Sequence, residues 1–93
     1  MSFDLKFKEE ALREWRQLDK GVCEQFKRKL AERLLNPRLP SAKLHGQKDR
    51  YKIKLRSVGY RLVYEVRDAE VLVVVVAVGK RERNAVYKLA AGR

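Results

Sequence analysis

The stretch Tyr51-Lys-Ile-Lys-Leu-Arg-Ser-Val-Gly-Tyr-Arg-Leu-Val-Tyr-Glu-Val66 decides the fold. Tyr51, Ile53 and Leu55 alternate with Lys52, Lys54 and Arg56, a period of two that sends apolar side chains to one face of a strand and cations to the other. Leu62, Tyr64 and Val66 repeat the alternation in a second strand, with Arg61, Val63, Glu65 and Arg67 at the other parity. Both apolar sets share one core face when residues 55 and 62, 53 and 64, and 51 and 66 are partners, leaving Ser57 to Tyr60 as the connection of a hairpin. That register puts Arg61 beside Arg56 and near Lys54. Like charges on neighbouring strands oppose folding, so an anionic partner is the expected reason for keeping them together.

The composition points the same way. The chain has 93 residues, room for one modest core, and residues 1–93 are expected to form a single domain. Its net charge is +11, from 23 Lys and Arg against 12 Asp and Glu. Of the residues from Lys43 onward 13 are basic and 5 acidic, so most of the surplus sits in the strand-rich half. A basic stripe of this kind is the footprint of a nucleic-acid partner; the alternative is a surface that is merely soluble. A single cysteine, Cys23, allows no internal disulfide and no cysteine-rich metal site. The N-terminal Ser2-Phe-Asp-Leu-Lys-Phe-Lys8 interrupts any apolar run with charge, and the longest apolar run, Val71 to Val78, is too short to span a bilayer. The expectation is a cytoplasmic protein with no membrane contact.

Along the chain, Phe3, Leu5 and Phe7 alternate with charged residues as a short strand. Ala11, Leu12, Trp15 and Leu18 then share one face of an amphipathic helix. Asp19 is placed to cap a second helix carrying Val22, Cys23, Phe26, Leu30 and Leu34 inward, and Asn36-Pro37 ends it. Cys23 reads as a small core residue. The basic group Lys27-Arg28-Lys29 on this helix reads as a solvated face first and a binding face second. Residues 36 to 50 form a basic connection with Lys43, His45, Lys48 and Arg50. Asp68-Ala69 offers a tight turn into Val71 to Val78, which is apolar at both parities and therefore central in its sheet. The resulting fold class is α+β: a small antiparallel four-stranded sheet, β-α-α-β-β-β in order 1-4-3-2, with two helices on one face and a short C-terminal helix over Asn84 to Ala90.

An antiparallel fourth strand brings Arg81 to the end of the sheet that holds Arg61 and Arg56, with Tyr87 about two helical turns on. Lys52, Lys54, Arg61 and Arg81 with Tyr87 nearby suit phosphoryl transfer: cations neutralise charge growing on a phosphate, and a lysine among cations loses its proton more readily. Tyr87 can stack on a base. The same residues also fit solvated lysines, Arg81 paired with Glu82 or Glu65, and a Tyr87 that anchors the last helix. Metal-ligand and Ser-His-Asp sets are missing, and His45 is the one histidine, so neither a metal, a cofactor nor a histidine-pair mechanism is expected.

The segments "KLHG", "YKIKLRSVGYRLVYEV" and "VGKRERNAVY", in this order after one strand and two helices, make the chain resemble the RelE toxins of bacterial toxin–antitoxin pairs. The resemblance covers essentially the whole chain. It implies a toxin that cleaves mRNA in the A site of the 70S ribosome, beside 16S rRNA, by attack of a ribose 2′-hydroxyl on the adjacent phosphate, and that is neutralised by a cognate RelB-like antitoxin. Carried over, Lys52 and Lys54 match lysines that handle proton removal and phosphate charge, with Lys54 the base. Arg61 matches a transition-state clamp, Arg81 the leaving-group side, and Tyr87 the stacking tyrosine. Lys43, His45, Arg56, Lys80, Arg83, Lys27 and Arg28 are further candidate RNA contacts. The chain departs from the family pattern at His45, where arginine is expected before the loop glycine, and in its short C-terminus. Two other readings stay open: a ParE-like toxin that inhibits DNA gyrase without cutting, and a plain RNA-binding module.

Overall fold

The cationic hairpin becomes strands β2 (Arg50–Leu55) and β3 (Tyr60–Arg67) of a four-stranded sheet in a computed structural model that describes residues 2–82 and 84–93. Before it come β1 (Asp4–Phe7), α1 (Glu9–Arg16) and α2 (Lys20–Leu35); after it come β4 (Leu72–Lys80) and α3 (Ala85–Ala91). The strand order is β1-β4-β3-β2, as the sequence predicts.

The hairpin register differs from the expected one by two residues: Leu55 faces Tyr60, Lys54 faces Arg61, Ile53 faces Leu62 and Tyr51 faces Tyr64. The cause is Gly59. Its φ of +71° lets the chain reverse within Arg56 to Gly59, and its N–H closes the turn on the Leu55 carbonyl at 2.9 Å. Because the shift is even, every side chain keeps its predicted face. Lys54, rather than Arg56, now stands directly opposite Arg61.

The sheet is mixed, whereas the sequence reading made it antiparallel throughout: β1 runs parallel to β4. The 16 residues of α2 span about 24 Å and return the chain to the end where β1 begins, where the Phe3 N–H bonds the Leu34 carbonyl at 2.9 Å. The strand β2 therefore starts at that end too, and two hairpin reversals make β4 parallel to both β2 and β1. The turn into β4 is also longer than expected, a 3₁₀ turn over Asp68–Glu70 followed by Val71 at φ +51°.

Helices α1 and α2 cover one face of the sheet. Asp19 caps α2 through its carboxylate, which accepts from Val22 N–H at 3.0 Å. Phe26 and Leu30 pack with Ala11, Ile53, Leu62, Tyr64, Val73 and Val75 into the main core. Filling such a position with Phe26 stabilises the fold by about 1.5–3 kcal/mol. On the opposite face α3 seals a smaller cluster of Leu44, Val63, Val76, Ala77, Val86 and Ala90. The strand β4 is buried along both faces from Leu72 to Val78. A bulge at Val76, which lies between the pairs Tyr64–Val75 and Val63–Ala77, switches its parity, so that Gly79 pairs with Arg61 and lies against Val86 of α3.

Beyond the end of β1 the β4 backbone has no strand partner on that side among the described residues, and side chains take over. The Glu14 carboxylate accepts from Val78 N–H at 3.1 Å and from both terminal nitrogens of Arg93 at 2.8 and 2.9 Å. Arg93 also donates to the Val76 carbonyl at 3.0 Å, and its own carbonyl accepts from Lys8 Nζ at 2.7 Å. This network ties the chain after α3 to α1 and the start of the first helix.

Candidate active site

Alternation along β2 puts Lys52 and Lys54 on the face that α3 only partly covers, across from Val63 and Arg61 respectively. The cross-strand pair Lys54–Arg61 brings two like charges side by side, which costs the fold stability. Arg81 joins them because its N–H donates to the Gly59 carbonyl at 2.7 Å, fastening the exit of β4 to the hairpin turn. Lys54, Arg56, Gly59, Arg61 and Arg81 line one shallow depression. The charge of Lys52, then desolvation, then the charges of Arg61, Arg56 and Arg81 hold the Lys54 ammonium below the ordinary lysine pKa.

Tyr87 reaches the cluster from α3. The Arg61 guanidinium carbon lies 5.2 Å from the centre of its ring, and Arg61 Nη1 donates to Asn84 Oδ1 at 3.1 Å. The Tyr87 hydroxyl is buried with no hydrogen-bond partner among the described residues. Burial pushes that phenol up in pKa, and neighbouring Arg61 offsets part of the rise. The five residues singled out as catalytic candidates thus meet at one place. The pairing of Arg81 with Glu65 that the sequence left open does not occur, because Glu65 is engaged by Arg50 at 3.1 Å and Arg67 at 2.8 Å.

The further candidate contacts divide. Arg56 sits within the cluster. His45 is exposed next to Gly46, whose φ is +77°, in the loop that packs beside α3. Lys43 is tied inward: its ammonium donates to the Gln47 carbonyl at 2.8 Å and lies 5.5 Å from the Tyr51 ring centre, which leaves little of it for a phosphate. Lys80 pairs with Tyr60 at the opposite parity and lines a groove with Glu14 and Leu18 on the α1 side. Lys27 lies 3.7 Å from Glu24, and Arg28 stands with Lys29 and Glu32 at the rim of β2; both belong to α2, behind the sheet. Arg83 lies outside the described residues.

Several supporting residues escaped the sequence reading. Arg33 reaches from α2 to donate to the Lys52 carbonyl and to the Tyr64 hydroxyl, both at 3.0 Å, fixing the β2 backbone under Lys52. Gln47 donates to the Tyr87 carbonyl at 3.2 Å, and Arg50 donates to the Ala90 carbonyl, so the loop before β2 holds the far end of α3. No spacing in the sequence marks the acceptors of Arg33 and Arg50, which are backbone and side-chain groups distant in the chain.

The open face of the small mixed sheet thus gathers five cations and a tyrosine, and sequence similarity identifies this frame as that of a toxin from a type II toxin–antitoxin system. The chain matches the family model described as the ParE toxin of the type II toxin–antitoxin system parDE over residues 5–85, and it belongs to that family, on its RelE side. It is 56% identical over 93 residues to the mRNA interferase toxin RelE of Escherichia coli (strain K12), covering 100% of this chain and 98% of the relative. Among solved structures it is similar to a mutant of E. coli toxin RelE in the free state, with a TM-score of 0.92 and 54% identity, covering 100% of this chain and 98% of that one. It is similar also to the toxin in the intact E. coli RelBE toxin–antitoxin complex, with a TM-score of 0.85 and 56% identity over 88% of this chain and 100% of that one.

Proposed function

We propose that this protein is an mRNA interferase: an endoribonuclease toxin that cuts mRNA in the ribosomal A site and is held inactive by a RelB-like antitoxin. The observation that carries the reading is the convergence of Lys52, Lys54, Arg61, Arg81 and Tyr87 on one open face of a chain 56% identical to the E. coli interferase. In the proposed step Lys54, neutral, takes the proton of a ribose 2′-hydroxyl. The 2′-oxygen attacks the adjacent phosphorus and the bond to the 5′-oxygen of the next nucleotide breaks, leaving a 2′,3′-cyclic phosphate and a 5′-hydroxyl. Lys52 and Arg61 neutralise the charge that builds on the non-bridging oxygens, where fixed cations act most strongly. Arg81 stands on the leaving-group side, where its charge stabilises the departing 5′-oxygen until that oxygen takes a proton from water, and Tyr87 stacks on a base. Arg56 and His45 extend the contact along the RNA.

A programmed 70S ribosome with an empty A site tests the reading. Mapping 5′ ends with and without the protein should reveal new ends within the A-site codon and a cyclic phosphate on the upstream fragment. The name of the matching family model favours one rival, a toxin that inhibits gyrase without cutting. An intact messenger together with lost gyrase supercoiling would decide for that rival.

A further inference from the structure

Asn84 occupies a position that neither helix capping nor packing explains. It precedes α3 as its cap residue, where an asparagine side chain ordinarily accepts from the helix's own first-turn N–H groups, yet its carboxamide caps nothing. Its backbone lies in the left-handed region at φ +63° and ψ +22°, a conformation that few residues besides glycine and asparagine adopt easily. The turn built this way, with Ala85 N–H on the Glu82 carbonyl at 2.7 Å, separates Arg81 from Tyr87 and aims the Asn84 side chain across to β3. There Oδ1 accepts from Arg61 Nη1 at 3.1 Å while the guanidinium lies over the Tyr87 ring.

We propose that Asn84 is a positioning residue for Arg61, fixing the guanidinium between Tyr87 and Lys54 before RNA arrives. The inference rests on the RNA-cleaving reading above. A carboxamide suits the task because it is a neutral acceptor: it takes one of the five N–H donors of arginine and leaves the positive charge whole for a phosphate. A carboxylate at the same place would hold Arg61 as firmly and cancel the charge. Ordering a long side chain in advance spares that ordering at the moment of reaction.

The test measures single-turnover cleavage on saturating programmed ribosomes for Asn84→Gly and Asn84→Asp, each in the wild-type and the Arg61→Ala backgrounds, with thermal unfolding of every variant. Asn84→Gly keeps the left-handed turn and should unfold at the wild-type temperature, yet lose about tenfold in rate, with half-saturation unchanged. Asn84→Asp keeps both turn and acceptor and should lose more, on the order of 100-fold. In the Arg61→Ala background both substitutions should change the rate by less than about twofold, because the group they act through is gone. A wild-type rate for Asn84→Asp, or losses that persist undiminished without Arg61, would overturn the proposal. An intact messenger in the wild-type sample would overturn the activity itself, and the proposal with it.

Discussion

At the scale of single residues, the proposed chemistry turns on one lysine, Lys54, acting as a base. Lys54 must be neutral to accept a proton, and Lys52 is the largest of the influences that depress its pKa. The sign follows directly: with Lys52 removed, the Lys54 ammonium is stabilised and its pKa rises toward the ordinary value. Lys52→Ala should therefore move the rising limb of the pH–rate profile to higher pH, beyond any loss of rate at the plateau. An unmoved limb would assign the base to another group. Lys54→Ala and Arg81→Ala should each slow single-turnover cleavage on saturated ribosomes by about 10²–10³-fold, since in the proposed step each removes a group that matters most in the transition state. Which side chains face the site was legible from alternation alone. The partner of Lys54 was not, because a four-residue hairpin connection fits several registers of equal parity, and only the left-handed Gly59 selects one.

At the scale of elements, α3 is the part most dependent on its neighbours. Seven residues are too few for a stable isolated helix, and only Val86 and Ala90 are buried under it. Its far end is held by Arg50 on the Ala90 carbonyl, Gln47 on the Tyr87 carbonyl, and the Arg93–Glu14 pair. Glu14→Gln or Arg93→Ala should speed amide exchange in residues 85–91 while leaving the sheet protected, and should lower cleavage several-fold through a less well-seated Tyr87. Equal exchange in the variant and the wild type would show that the pair does not hold the helix. Arg50 is in turn fixed by Glu65. Burial alone would raise the Glu65 pKa, but hydrogen bonds from Arg67 and Arg50 outweigh it and hold it below the ordinary glutamate value. Its stabilisation is present above the unfolded pKa and lost as pH falls through the folded one, so α3 should loosen as the pH falls below the ordinary glutamate range. Amide exchange followed between pH 5 and 3 checks this, and Glu65→Gln should flatten the dependence. None of these anchors was legible: Glu14 and Arg93 are separated by almost the whole chain, and the Val76 bulge hides in a run apolar at both parities.

At the scale of the whole molecule, charge and fold are divided between the faces of one sheet. The helical face carries the main core, where Phe26 is fully buried, and Phe26→Ala should cost about 3–5 kcal/mol in chemical denaturation. The open face carries the like-charge repulsion of Lys54 against Arg61 and the neighbouring cations. Strand order and the covered face were readable because a central apolar strand and two amphipathic helices leave few arrangements. The parallel edge was missed, since pattern alone does not say at which end of the sheet a helical pair returns the chain. In the proposed reading the net charge of +11 serves docking on ribosomal RNA and grip on the messenger, so affinity should fall steeply with salt. The proposed site offers cations and an aromatic ring but little to force a flexible strand into line for attack, a service worth about 7–11 kcal/mol when a partner supplies it. The most direct measurement compares cleavage of one messenger, free and bound to a ribosome with an empty A site, at equal protein concentration and physiological salt. Cleavage confined to the ribosome-bound messenger, within the A-site codon, is the predicted result; equal rates in the two samples would contradict the account.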